Sequence, residues 1–502
     1  MDANKMKGYK VVCAKEMARV EKISIVQGGS DEVYMRKAGE NLAICVEEFI
    51  QKNHLERSVT LLVGRGNNGG DAFATGTCLL HKGYHVRAYP IALSNSATPL
   101  CQKQEKAFVA SGGKVDRGRV RKFRGVILDG LLGTGTHGPL QKEFVEIIQQ
   151  ANHSMLPILA IDIPSGIDGN SGAIDPIAIK ATKTLFLALP KLGCFLGEAY
   201  NFVGQLSCVD FGIDPRFLHM AEGNAYLLDE KALPTLPPLQ RIRHKYEAGY
   251  VIGLAGSHEM PGAAMLSCLA ALRSGGGIVR LFYPKGSHHF TPPPELICTP
   301  YAYDDPCKIF KEAKRAKSAL IGPGLGRSEQ MKDFIAGVVG RLHIPCVIDA
   351  DGLFLVKKLP TRAVLTPHIQ EMRTLLQTDS LNQEVCQKFV DQKRVTTVVK
   401  GAPTWIYYPN TLPLLVPIGN PGMATAGTGD VLTGIIAALL AQGMQEMESA
   451  TLGVYLHGLA GDIAVQQKTA YSMIASDLID TLPLAFQKLL TYNLKHADKS
   501  LL

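Results

Sequence analysis

The chain has 502 residues, 46% of them hydrophobic and 20% charged, a globular composition that excludes disordered and fibrous classes. Lys plus Arg exceed Asp plus Glu by 53 − 45 = 8. This scattered excess suits an anionic small molecule and excludes the concentrated basic face of a nucleic-acid binder.

A single core stops growing at roughly 250–300 residues, so two domains are expected, divided as 1–225 and 226–502. The opening MDANKMKGYKVV lacks the apolar core of a secretory signal. Short apolar runs ending in Gly or Asp then recur at 59–63, 85–93, 125–128, 157–161, 184–189 and 206–209. Segments such as 71–82 and 141–152 between them have helix length. Strands alternating with helices imply a parallel, doubly wound sheet with right-handed crossovers. A Rossmann-like, three-layer α/β domain is therefore predicted. KALPTLPPLQ at 231–240 interrupts the pattern and reads as a stiff connector. The alternation restarts with a strand at 250–254, a glycine turn and a helix at 262–274. Strands at 318–321, 346–348, 363–365 and 396–399 follow, so the second domain is also α/β. The halves show no repeat, so duplication is not implied.

Eleven dispersed cysteines include no Cys-x-x-Cys pair. That argues against a disulfide framework or zinc cluster and for a reducing cytosol. No run reaches about 18 apolar residues. A cytoplasmic protein without a membrane or nucleic-acid partner is expected.

In the first domain, Val63-Gly64-Arg65-Gly66-Asn67-Asn68-Gly69-Gly70-Asp71 joins a strand to a helix. Glycines let backbone N–H groups approach an anion, and the helix start adds its positive dipole end, so a pyrophosphate fits here. Two further strand ends carry acids. Asp129 leads into a second glycine-rich loop with Gly133, Thr134, Gly135, Thr136, His137, Gly138 and Pro139. Asp162 opens Ile163-Pro164-Ser165-Gly166. Ligands of open α/β sheets sit at the carboxyl ends of strands, so the three loops should converge. Oxygen donors of Asn68, Asp129 and Ser165 would suit a hard cation; either acid alone could equally cap a neighbouring helix.

Together with Met35-Arg36-Lys37-Ala38-Gly39 and Pro190-Lys191-Leu192-Gly193, these loops resemble the epimerase of the NAD(P)H-hydrate repair system over roughly residues 8–215. The resemblance implies that Asn67, Asn68, Gly69, Gly70, Asp71, the loop from Gly133 to Pro139, and Asp162 hold the hydrated dinucleotide. It implies potassium at Asn68, Asp129 and Ser165, which leaves Asp162 as the candidate acid/base at C6. Arg65 stands where the family usually has Pro, and Ala72 where it has Gly.

In the second domain, Asn420-Pro421-Gly422-Met423-Ala424-Thr425-Ala426-Gly427-Thr428-Gly429-Asp430 precedes an apolar helix at 431–440. The glycines expose N–H groups at that helix start, an anion hole for a transferring phosphoryl group. Asp430 could there take the proton of a substrate hydroxyl, or merely cap the helix. Alongside stand His244-Lys245, Gly256-Ser257, Met260-Pro261-Gly262-Ala263-Ala264, Gly322-Pro323-Gly324-Leu325-Gly326, Asp349-Ala350-Asp351-Gly352, Thr366-Pro367-His368 and His457-Gly458-Leu459-Ala460-Gly461-Asp462. This set resembles the ribokinase-like fold, and more closely the NAD(P)H-hydrate dehydratase, over roughly 240–485. The resemblance places the hydrated dinucleotide against Ala263, Gly324, His368 and Asp430. It places ADP or ATP, with magnesium, against Lys400, Gly401, Ala402, Pro403, Thr404 and Gly429. Tyr246 and Gln370 each replace a usual Gly. A lone His after Thr-Pro is more often a packed loop residue, and Asp349 and Asp351 could be buried strand-end caps.

The two resemblances make one pathway. Hydration leaves a C6 hydroxyl of either configuration, a dehydratase shaped for one epimer strands the other, and an epimerase recovers it. Two other readings stand beside this one. One is a ribokinase-like vitamin kinase with an accessory nucleotide-binding domain; the other is a scaffold like those of messenger-RNA decapping assemblies. A homo-oligomer is expected.

Overall fold

The structure, a computed structural model, describes residues 8–91, 97–118, 120, 122–135, 138–286 and 291–497. It folds as two compact units, one holding Tyr9–Leu227 and the other running from Leu228.

The first unit contains β1 (Tyr9–Val11), β2 (Ser58–Val63), β3 (His85–Pro90), β4 (Lys114–Val115), β5 (Val126–Gly130), β6 (Ile158–Ile161), β7 (Lys183–Leu187), β8 (Gln205–Val209) and β9 (Ala225–Leu227). Its sheet runs β4-β3-β2-β5-β6-β7-β8 with every pair parallel. β1 and β9 pair antiparallel. Every residue of β2 is buried, as expected of a strand covered on both faces. Val59, Leu61 and Val63 pack with Leu42 and Val46 of helix Asp31–Lys52 and Phe73 of helix Asn67–His81. Leu62, on the opposite face, packs with Ile127, Ile158 and Phe144 and Ile148 of helix Lys142–His153. Three layers follow from that alternation.

The second unit contains β10 (Tyr250–Leu254), β11 (Ile278–Pro284), β12 (Ile297–Tyr301), β13 (Ser318–Ile321), β14 (Cys346–Ile348), β15 (Ala363–Leu365), β16 (Thr396–Val399), β17 (Thr404–Tyr407) and β18 (Leu414–Val416). They run in the order β18-β17-β16-β15-β14-β13-β10-β11-β12. All neighbours are parallel except β16-β17 and β17-β18. Tyr250, Ile252 and Leu254 share a core with Met331, Phe334 and Ile335 of helix Glu329–Val339.

Strand order reverses direction between β2 and β5 in the first unit and between β10 and β13 in the second. Such switch points open a crevice at the carboxyl ends of the strands. The loops that follow β2 and β5, and β10 and β13, are rich in glycine.

Several expected boundaries move. The strand predicted at 85–93 ends at Pro90, and residues 92 and 93 lie outside the described residues. The helix predicted from 71 begins at Asn67, and the one predicted from 431 begins at Thr428. A short 3-10 turn, Glu230–Ala232, opens the connector, and 233–240 carries no regular element. All eleven cysteines are free. Among the described residues, no helix is long and apolar enough to cross a membrane.

Candidate active sites

The first crevice opens into a cavity of about 620 Å³. Asn67, Asn68, Asp71, Gly133, Thr134, Gly135, Pro139 and Asp162 line it, so the three predicted loops do converge. Gly138 is exposed and is not among the lining residues; Thr136 and His137 lie outside the described residues.

Gly69 and Gly70 require a correction. They belong to the first helical turn, not to a loop before it, and their N–H groups donate to the Gly66 carbonyl at 3.1 and 3.3 Å. Both are buried and neither lines the cavity. A side chain on Gly69 would put its Cβ 2.2 Å from the Gly64 carbonyl oxygen. That glycine lets the helix settle on the end of β2. Asn67 and Asn68 are left as the helix's open N–H donors.

Asp162 follows β6 directly, with φ at +64°, a conformation that costs a non-glycine residue about 1–3 kcal/mol. Its carboxylate accepts from the Leu187 N–H at 3.0 Å and from the ammonium of Lys191. Lys191 is 2% exposed, and a buried ammonium requires such a partner. Glu21 and Asp71 also line the cavity. Burial pushes both carboxyls up, with the charge of Asp162 adding to the effect. Lys191 and Glu21 were not singled out as site residues from sequence. Lys191 was visible only as part of a motif, because its partner lies 29 residues away.

Asp129 is wholly buried. It accepts from Ser165 Oγ at 2.6 Å, Ser165 N at 2.9 Å and Leu131 N at 3.2 Å. Burial lifts its carboxyl to about 6 against the pull of those hydrogen bonds. Asn68 Nδ2 donates to the Leu132 carbonyl at 3.0 Å, and Leu132 N donates to Ser165 Oγ at 2.9 Å. Asn68, Asp129 and Ser165 thus come together around Leu132. One carboxylate with neutral amide and hydroxyl oxygens is a low-charge, oxygen-only set that fits a monovalent cation better than a divalent one. Neither Asp129 nor Asp162 caps a helix.

In the second unit, Gly324 lies at φ +66°, and a Cβ there would sit 3.1 Å from that of Ala263. Ala263 and Gly324 are therefore neighbours across the crevice. Thr428 begins the helix Thr428–Ala441 behind a left-handed Gly427, with Asp430 in the first turn. The Lys400 ammonium, just past β16, donates to Asp349 Oδ1 at 2.7 Å, and Thr433 Oγ1 donates to Asp349 Oδ2 at 2.7 Å. A Cβ on Gly429 would lie 3.0 Å from Lys400 Nζ. Gly429, Lys400 and Asp349 are thus in one place. Asp349, weighed as a strand-end cap, instead anchors Lys400 and Thr433. Asp351 ties down the 322–326 loop through Gly326 N at 2.9 Å and Arg327 at 2.7 Å.

Burial, and then the charge of Asp349, raises the Asp430 carboxyl to about 7 despite the opposing Lys400. His368 bridges to Lys400 between β15 and β16. It is exposed, which excludes the packed-loop reading, and its Nδ1 caps the helix Ile369–Leu376 by accepting from Gln370 N and Glu371 N at 3.1 and 3.2 Å. Lys400, Gly401, Ala402, Pro403 and Thr404 form the turn from β16 into β17. Gly401 and Ala402 are exposed, and Pro403 is buried.

Residues 31–193 match the family described as YjeF-related protein N-terminus, and residues 251–484 match NAD(P)H-hydrate dehydratase. The bifunctional NAD(P)H-hydrate repair enzyme of Moorella thermoacetica is 30% identical over 95% of this chain and 97% of its own. This chain belongs to the bifunctional NAD(P)H-hydrate repair enzyme family. The Coxiella burnetii member is 30% identical over 92% of this chain and 96% of its own. The ADP/ATP-dependent NAD(P)H-hydrate dehydratase of Bacillus subtilis, solved with ATP and magnesium, is 29% identical with a TM-score of 0.46, covering 53% of this chain and 99% of that one.

Proposed function

We propose that this chain repairs hydrated NADH and NADPH, with an epimerase in the Tyr9–Leu227 unit and an ADP- or ATP-dependent dehydratase in the unit from Leu228. The observation that carries the reading is family membership along 95% of the chain. It spans both switch-point crevices, each with a carboxylate at a strand or helix end. A vitamin kinase with an accessory nucleotide-binding domain leaves the match to bifunctional repair enzymes along both units unexplained.

In the epimerase, Asn67, Asn68, Asp71 and the 133–139 loop hold the dinucleotide. Asp162, hydrogen-bonded to Lys191, takes the proton of the C6 hydroxyl as the C6–N1 bond breaks to an aldehyde. The electron pair of that bond passes to N1 and the conjugated carboxamide, and Asp162 returns the proton when N1 adds back to the other face of C6. Asn68, Asp129 and Ser165 would hold a potassium ion, which supplies positive charge to an anionic ligand.

In the dehydratase, Ala263, Gly324 and His368 hold the same substrate, and the turn from Lys400 to Thr404, with Gly429, holds the nucleotide. Magnesium would travel on the nucleotide's phosphates. Hydroxide is a poor leaving group. Asp430 removes the C6 hydroxyl proton as that oxygen attacks the terminal phosphorus, and the bond from phosphorus to the departing nucleotide breaks. Phosphate then leaves C6 with its electron pair, pushed by the ring nitrogen, and loss of a C5 proton restores the dihydronicotinamide. The helix start at Thr428–Asp430 stabilises the transferring group. A carboxyl at about 7 is basic enough to accept a proton at neutral pH.

Purified protein given both epimers of hydrated NADH should regain the absorbance of the reduced ring only when ADP or ATP is added. No recovery with either nucleotide would overturn the reading, and a stable phosphorylated vitamin would favour the kinase.

A further inference from the structure

We infer that His457 is a positioning residue for the phosphoryl site, pinning the Thr428–Gly429 peptide so that the Gly429 N–H faces the transferring group. The inference rests on the reading of Thr428–Asp430 as that site. His457 lies on the helix Glu446–Gln467, and its Nε2 is 2.8 Å from the Thr428 carbonyl oxygen. A carbonyl oxygen only accepts, so Nε2 carries the hydrogen and the tautomer is settled. Burial holds the imidazole down to about 4, so it acts as a neutral donor.

The physical argument is local. A trans peptide is planar, and its C=O and following N–H point in opposite directions. Gripping the Thr428 oxygen therefore orients the Gly429 N–H away from His457. As the second residue of its helix, Gly429 has no intrahelical acceptor for that N–H. The accepted hydrogen bond also polarises the peptide and strengthens the donor on its far side. The Thr428 hydroxyl closes the turn by donating to the Met423 and Thr425 carbonyls at 2.9 and 3.0 Å.

The neighbours of His457 on the same helix face press on the segment leading into this turn. A Cβ on Gly458 would fall 2.9 Å from the Ile418 carbonyl oxygen, and one on Gly461 2.4 Å from Met423 Sδ. Asp462 accepts a hydrogen bond from the backbone of Gly419. Positions 457, 458, 461 and 462 share one face because they are spaced by one and four residues. Within this set, the contact of His457 is the one made to the catalytic helix itself.

Two substitutions separate positioning from mere support. In His457→Gln the amide nitrogen can occupy the place of Nε2 and still donate; in His457→Leu nothing donates. Steady-state dehydration by the full chain should lose about ten- to a hundredfold in kcat in the Leu variant, below the roughly hundred- to thousandfold of a direct donor. KM should move by less than about threefold. The Gln variant should stay within about threefold of the parent, and epimerisation should be unchanged in both. Equal rates for the Gln and Leu variants, or a loss confined to KM, would overturn the inference. If the Leu variant fails to fold, His457→Asn, polar but too short to reach, replaces it, and the Gln–Asn difference decides in the same way. A parent enzyme without nucleotide-dependent dehydration sinks the functional reading itself, and this inference with it.

Discussion

Asp162 and Asp430 are the carboxylates proposed for the two chemistries, yet their surroundings differ in kind. Asp162 is held by a buried ammonium and a backbone N–H, on a backbone at φ +64°. Asp430 sits in the first turn of a helix, and burial and a neighbouring carboxylate raise it to about 7. The first arrangement fixes where a charge sits. The second lifts a carboxyl by burial and a like charge, and in the proposed steps both carboxylates take up a proton, the first of them beside its counter-ion. The two steps proposed at one C6 hydroxyl thus have different electrostatic surroundings.

The largest expected effect breaks this comparison at its second member. Asp430→Asn keeps size and capping ability but removes the base, so dehydration should fall by about 10²–10⁴ while epimerisation persists. A dehydration rate within a few-fold of the parent would make Asp430 only a cap. Next, Lys191→Met leaves the buried Asp162 charge without its counter-ion, and such loss costs about 3–5 kcal/mol of stability. Unfolding midpoints should drop for Lys191→Met and largely recover in Asp162→Asn/Lys191→Met. An unchanged midpoint in the single variant would show that the pair is not the constraint described here.

Smaller effects sharpen the contrast. A base must be ionised, so dehydration should decline as pH falls through about 7, by about tenfold per pH unit below it. Asp349→Asn removes the like charge and releases Lys400 toward Asp430. Both changes favour the ionised form, so the limb should move to lower pH in the rate profile; an unmoved or raised limb contradicts the arrangement. Least in size, exchanging potassium for choline should slow epimerisation and leave dehydration alone, and equal epimerisation rates in the two salts would remove the cation from Asn68, Asp129 and Ser165.

Much of this was legible in the amino-acid order. β10, β13, β14, β15 and β16 occupy the predicted residues because buried parallel strands read as short, mostly apolar and β-branched runs. β17 and β18 escaped because a hairpin with strands of four and three residues carries little pattern of its own. The helix start at Asn67 was hidden by Gly69 and Gly70, whose low helix propensity is overridden by close packing on Gly64 and on Met35 respectively. Within the sites, loop convergence followed from topology. The Asp162–Lys191 and Asp349–Lys400 pairs did not, since partners 29 and 51 residues apart meet only through the sheet.

The most direct test of two separate chemistries in one chain is a progress curve for an epimer mixture of hydrated NADH with ADP or ATP, run on the parent and on Asp162→Asn. The parent should restore all of the reduced cofactor. The variant should match its early rate and then stall once one epimer is consumed. Completion by the variant at the parental pace would contradict the division of labour between the two sites.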